Sequence, residues 1–158
     1  MARFSMELPN DLIKEFQKLE KTSPKMLEEM TQAGAKVVYN NVKENMKSSF
    51  KDSDKLAHYL KITKPYETPS DDGINTKVAF YGYYKEDKKT FSLTSKSGKK
   101  YSYNGIPVPL IIRAREFGSS SGEAKKPFFR KSFKKDQIEK EMLRVQDKYL
   151  KEIKWIVL

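Results

Sequence analysis

Apolar and polar positions alternate at the start of the chain, where Phe4, Met6 and Leu8 are separated by Ser5 and Glu7. Period two predicts a short strand with one buried face. The spacing then becomes helical: Leu12, Ile13, Phe16 and Leu19 form one stripe, and Leu27, Met30, Val37, Val38, Val42 and Met46 continue it to about Lys47. Between the two, Thr22-Ser23-Pro24 reads as a restart, with Ser23 as cap and Pro24 in the first turn, which predicts two helices. Ala33, Gly34 and Ala35 fall inside the second, where small side chains let another element come close. A glycine there costs ~1 kcal/mol relative to alanine, so close packing is the expected reason for it.

Leu56 to Lys64 turns toward strand, and Thr76 to Tyr84 answers it across the turn signal Pro69-Ser-Asp-Asp-Gly73, giving a hairpin. In residues 85–105, Thr90 to Thr94 and Lys100 to Tyr103 flank Ser97-Gly98, a long exposed β-arm or loop insertion. Pro107 and Pro109 stop it, and Leu110 to Phe117 reads as a short helix closed by Gly118. A polar loop at 118–126, short of apolar anchors, is expected to be flexible. Pro127 then opens a long amphipathic helix to about Lys154, with Phe129, Phe133, Ile138, Met142, Val145 and Tyr149 near one face. Trp155 to Leu158 leaves an apolar tail. The order predicts a single α+β domain over 1–158. A small antiparallel sheet with a β-arm is packed on one side by two N-terminal helices and a long C-terminal helix.

Composition limits what such a fold can do. The 158 residues hold 32 basic and 21 acidic side chains, a formal charge of +11, with no cysteine and one histidine. Absent cysteine excludes disulfides, thiolate catalysis and cysteine-based zinc sites. No run approaches the ~20 apolar residues of a membrane span, and no signal peptide is evident. The expectation is a soluble protein made in a cytoplasm, with no membrane partner. The charge is uneven: −1 over 1–30, +4 over 31–64, −2 over 65–84, +4 over 85–105, zero over 106–124 and +6 over 125–158. Solvated helix faces, an acidic protein partner and phosphate contact are all compatible with this map. In the arm, Lys96, Lys99, Lys100, Tyr101 and Tyr103 interleave charge with aromatics, as nucleic-acid-binding surfaces do.

Catalytic chemistry is sparse. His58 stands beside Tyr59 without a nucleophile motif, and the seven glycines form no phosphate loop. The pairs Asp52/Asp54 and Asp71/Asp72 lie in turn contexts, where such residues make local backbone bonds rather than hold a metal. Glu116 is the carboxylate that stands out, as a helix-end residue or as half of an ion pair across a subunit boundary. No enzyme, metal or cofactor is expected.

Four passages carry a resemblance. They are the strand and two helices with Gln32-Ala-Gly-Ala-Lys-Val-Val-Tyr-Asn-Asn-Val-Lys43, then Lys55-Leu-Ala-His-Tyr-Leu-Lys-Ile62 leading into the hairpin, then Glu116-Phe117-Gly118, and finally Ala124-Lys-Lys-Pro-Phe-Phe-Arg130 with Pro127, Phe128 and Phe129. In order and spacing the chain resembles the tail-completion, or head–tail joining, proteins of long-tailed bacteriophages and prophages. The resemblance spans the chain outside 85–105. It implies a virion part of the neck, made in the host cytoplasm, forming a ring with itself, if only on assembly. Connector and tail proteins would be its partners. It also implies that Glu116, Phe117, Gly118, Pro127, Phe128 and Phe129 serve the family's fold or assembly. A basic arm could then line the lumen that DNA passes through or grip an acidic partner ring. The rival expectation is a small basic DNA-binding accessory protein of a phage or mobile element.

Overall fold

The computed structural model describes residues 10–69, 73–85, 90–120, 122 and 124–153. The expected strand at Phe4–Leu8, the Asp71/Asp72 pair and the tail from Trp155 lie outside the described residues.

Helix α1 runs from Asn10 to Ser49. The break expected at Thr22-Ser23-Pro24 is absent, and the two predicted helices are one, with Pro24 inside it. Proline deletes one helical hydrogen bond and crowds the preceding turn, at about 3 kcal/mol. Pro24 is exposed, so its ring displaces no packing partner. Leu19, Met26, Met30 and Val37 keep helical spacing across it, and a break would take Leu19 off that common face. The Thr22 hydroxyl also donates to the Leu19 carbonyl at 3.3 Å, one of the local side-chain bonds a helix tolerates.

A short helix α2 covers Ser53–Ala57, so the segment expected to enter a strand at Leu56 is helical first. The hairpin follows as two ladders. Strand β1 (Leu60–Ile62) pairs with β4 (Val78–Phe80), and β2 (Tyr66–Thr68) pairs with β3 (Gly73–Asn75), both antiparallel. Leu60 faces Phe80 in the first ladder and Tyr66 faces Asn75 in the second, so the register slips by one residue between them. Pro65 sits in that gap, where it has no N–H to continue a ladder.

Strand β5 (Tyr83–Tyr84) pairs with β8 (Ile106–Pro107), closing the foot of the arm, while β6 (Thr90–Thr94) and β7 (Lys100–Asn104) form the arm itself. Among the described residues, the expected single small sheet is thus four two-stranded ribbons. At the foot, Gly105 has φ +97°, and a Cβ built there would stand 2.5 Å from the Tyr84 carbonyl oxygen. Gly105→Ala should therefore lower unfolding free energy by about 2 kcal/mol through strain and clash. Urea titration checks this, and an unchanged midpoint would contradict the arm's attachment as described.

Helix α3 spans Val108–Phe117, and Gly118 follows with φ 83°, ψ 167°. The positive φ was expected; the extended ψ takes the chain straight out of the helix instead of through a left-handed turn. Helix α4 spans Lys135–Ile153 and lies antiparallel on α1, with Asn41 bonded to Gln137 at 3.1 Å. Gly34 is where the two helices meet most closely: a Cβ there would lie 3.1 Å from Ile138 and 3.2 Å from Met142, which fulfils the close-packing expectation.

The core joins the C-terminal half of α1 to α2, β1, β4, α3 and the connection ahead of α4. Val38, Val42 and Met46 meet Leu56, Leu60, Phe80, Val108, Ile112 and Phe128. Phe128 comes from none of the regular elements; it sits in the connection ahead of α4.

Candidate functional site

The long C-terminal helix does not begin at Pro127. Residues 126–129 are irregular, Arg130–Ser132 make one 3₁₀ turn, and α4 starts only at Lys135. The cause is competition for the backbone. Phe128 N–H and Phe129 N–H donate to Glu116 Oε2 at 2.8 and 2.9 Å. Arg130 N–H and its Nε–H donate to Glu116 Oε1 at 3.3 and 3.1 Å. On the other side, Asn45 Nδ2 donates to the Phe128 carbonyl at 3.3 Å and to Ser132 Oγ at 2.8 Å. Asn41 Nδ2 reaches the Ser132 carbonyl at 3.1 Å, and Ser132 Oγ–H donates to the Phe128 carbonyl at 2.7 Å. Phe133 then adopts ψ 73°, which breaks any helix begun there. It does not join the α4 face with Ile138 and Met142 but is over half exposed.

Glu116 is only 3% exposed, and its carboxylate is occupied inside its own chain. Burial pushes its pKa up, but the Phe129 and Phe128 N–H groups, then the Arg130 side chain and N–H, outweigh that and hold it below the ordinary 4.5. A second carboxylate supports the same corner. Asp52 receives both terminal nitrogens of Arg115 at 2.6 Å, and that guanidinium lies 4.8 Å over the Phe50 ring. The Arg115 hydrogen bond, against opposing burial, holds Asp52 below its ordinary 3.8. The Arg115 carbonyl accepts Lys126 N–H at 2.9 Å, which ties the two ends of the 118–126 loop together.

A depressed folded-state pKa contributes stability above the unfolded value and loses it as pH falls through the folded one. Unfolding free energy should therefore decline below about pH 4.5, with most of the slope from Glu116 because Asp52 is partly exposed. Chemical denaturation between pH 3 and 7 tests this, and an equally steep decline in Glu116→Gln would contradict it.

Outside the clamp, α3, β4 and Phe129 border an apolar groove of about 340 Å³. Phe117, 56% exposed, forms one wall under the Arg130 guanidinium, whose carbon lies 4.8 Å from the ring centroid. The wider cleft between α1 and α4, about 690 Å³, is lined by Glu29, Gln32, Lys36, Asn40 and Glu141 among others. Its carboxylates and amides are those of two solvated helix faces. Among the described residues no group of three metal-ligating side chains occurs, and no helix is long and apolar enough to cross a membrane. His58 is exposed just past α2.

The arm residues lie elsewhere. Lys96 and Lys99 sit in the turn and Lys100 opens β7, all exposed. Tyr101 pairs with Leu93, both 44% exposed, and Tyr103 stands opposite Phe91 in the register. Glu116, Phe117, Gly118, Pro127, Phe128 and Phe129 are thus gathered around one clamp, while Lys96, Lys99, Lys100, Tyr101 and Tyr103 belong to a separate ribbon. Asn41, Asn45, Arg115 and Ser132 complete the clamp and escaped the sequence reading. An asparagine at 45 between the apolar positions Val42 and Met46 was the available signal.

A profile for the family described as "Bacteriophage HK97-gp10, putative tail-component" matches residues 10–104. No curated protein matches the chain, and no solved structure does. The matched segment takes in α1 with Asn41 and Asn45, the hairpin and the arm, and stops just before Gly105, ahead of the clamp residues that follow in α3 and beyond. With more than half of its 158 residues matched, the chain belongs to the HK97-gp10 family of bacteriophage proteins.

Proposed function

We propose that this chain is a non-enzymatic structural part of a tailed bacteriophage, acting at the head–tail junction as a ring between connector and tail. Family membership supports the tail role. The observation that carries the junction reading is the arm. It pairs with itself, places Lys96, Lys99 and Lys100 at its exposed tip, and is held at its foot by a separate two-residue ladder. A basic ribbon so mounted suits a lumen through which DNA passes or an acidic neighbouring ring. The protein would be made in the host cytoplasm and end in the virion.

The same lysines, next to the exposed Tyr101, favour a second reading as a DNA-binding accessory protein. Light scattering across a range of salt, paired with duplex-binding titrations, separates the two. A discrete ring-sized oligomer with weak, non-specific DNA affinity supports the neck component. A monomer or dimer whose strong affinity collapses in moderate salt supports the accessory protein. Within the neck reading, changing Lys96, Lys99 and Lys100 to glutamate should impair particle assembly or DNA retention; unchanged particles would remove the arm from the account.

A further inference from the structure

Among the described residues, the three most exposed large apolar side chains are Phe117, Leu143 and Phe133, each more than half exposed. Phe117 walls the apolar groove, and Phe133 extends it, its ring 5.5 Å from Phe129. The floor includes Val78, Phe80 and Ile112. At its border the charge has one sign: Arg113 is exposed and Arg130 lies over Phe117. The groove's carboxylate, Glu116, is buried and held by four donors. A segment that fits there is apolar in the middle and acidic at its edges.

Leu143 lies in such a segment on α4. Ile138 and Met142 pack against Gly34, so that face of α4 is taken by α1. Spacing of three and four residues puts Asp136, Glu139, Leu143, Asp147 and Leu150 in a stripe on the other side. Leu143 and Leu150 are its apolar anchors, about 10.5 Å apart along the helix. Asp136, Glu139 and Asp147 are exposed around them. Lys140 borders the stripe on one edge, Lys135 is drawn to Glu139 at 3.4 Å, and Arg144, Lys148 and Lys151 lie off it.

Stripe and groove are both exposed in one folded chain, so they meet only between chains. We infer that the Leu143 stripe of one copy docks in the Phe117 groove of the next. Leu143 and Leu150 lie against the apolar floor, and Glu139 and Asp147 turn toward the arginine rim. The contact is helix-in-groove. It joins two different surfaces, and such heterologous contacts build rings when the rotation closes. The inference rests on the ring reading above and supplies its subunit contact.

Because the chain has no cysteine, every engineered thiol is unique. Lys140, at the edge of the stripe, and Leu110, one turn before Arg113 on the rim, are exposed and leave the proposed anchors intact. Full-length Lys140→Cys and Leu110→Cys variants, mixed and treated with a short bis-maleimide, should yield a covalent dimer of twice 18.4 kDa. Docking raises the effective concentration of one thiol at the other, so the mixed pair should react at least about tenfold faster than either variant alone. It should keep that advantage over Lys140→Cys mixed with Glu20→Cys. Glu20 lies about 39 Å along α1 from Met46, which shares the core with Phe80 and Ile112. Adding Leu143→Asp to the Lys140→Cys chain, or Phe117→Asp to the Leu110→Cys chain, should remove the advantage. Both positions are more than half exposed, and unchanged urea midpoints establish that the fold is kept. Equal rates in all mixtures would overturn the proposal, as would an advantage untouched by either substitution. If the unaltered chain forms a discrete oligomer while the mixed pair shows no advantage, the docking contact is wrong and the ring stands. An advantage accompanied by open-ended chains would support the contact and overturn the ring. Loss of head–tail joining in Phe117→Asp without any cross-link would assign the groove to a different phage protein and overturn the contact equally.

Discussion

Phe128→Ala should lower unfolding free energy by about 4 kcal/mol, the upper range for truncating a buried phenylalanine. Phe128 is 1% exposed and stands between the halves of the fold. Its ring meets Phe50 edge-on at 5.1 Å and lies 6.5 Å from both Phe80 and Phe129. Its backbone is held on both sides, so the site cannot collapse to fill the space: its N–H is bonded to Glu116 and its carbonyl to Asn45 and Ser132. At the low end of typical domain stabilities, about 5 kcal/mol, such a loss leaves a measurable unfolded fraction near physiological temperature. Phe133 is the internal control. It is 53% exposed, and Phe133→Ala should cost less than about 1 kcal/mol. Urea titration of the two variants reads the difference directly, and similar losses would contradict the described placement of residues 128–133.

Glu116→Ala should cost about 3 kcal/mol for a different reason. Truncation leaves the N–H groups of Phe128, Phe129 and Arg130, and the Arg130 Nε–H, without their acceptor. Bonds to a charged acceptor are worth about 1.5–3 kcal/mol each, but four on one carboxylate are far from additive. Glu116→Gln should fall between, because its amide oxygen can keep the Phe128 and Phe129 donors while its NH₂ faces those of Arg130. Since Glu116 fixes the backbone of Phe128, the double variant Glu116→Ala/Phe128→Ala should deviate from the sum of the singles by at least about 1 kcal/mol. Additivity within about 0.3 kcal/mol would mean that the clamp and the aromatic core act independently.

How much of this was legible in the sequence depended on how local each determinant is. Helix α3 was expected at Leu110–Phe117 and runs Val108–Phe117, because Pro107, Pro109 and Gly118 punctuate it locally. The arm strands were readable from β-prone residues on both sides of Ser97-Gly98. Gly34 could be read as a close approach because nothing else explains a glycine among helix formers.

The failures share a cause. Pro24 and Pro127 both read as helix starts, since proline fits a first turn. Pro24 instead stays within a face that is continuous on either side of it. After Pro127, Phe128 and Phe129 give their N–H groups to a carboxylate twelve and thirteen positions earlier. Glu116 stands out in the sequence as a lone carboxylate at a helix end, but its partners are set by tertiary contacts that local spacing does not encode. The same is true of the Asp52–Arg115 pair, sixty-three positions apart. The separation of the β1/β4 ladder from the β2/β3 ladder follows from Pro65 and a one-residue register slip, a feature that alternation alone does not reveal.

The role proposed for this chain is to join head to tail. The most direct measurement is electron microscopy of particles made when its gene is disrupted in the phage or prophage that carries it, with the intact gene supplied in trans as the control. DNA-filled heads and completed tails accumulating unjoined, and rejoining on complementation, is the predicted result. Intact, infectious particles made without the protein would contradict it.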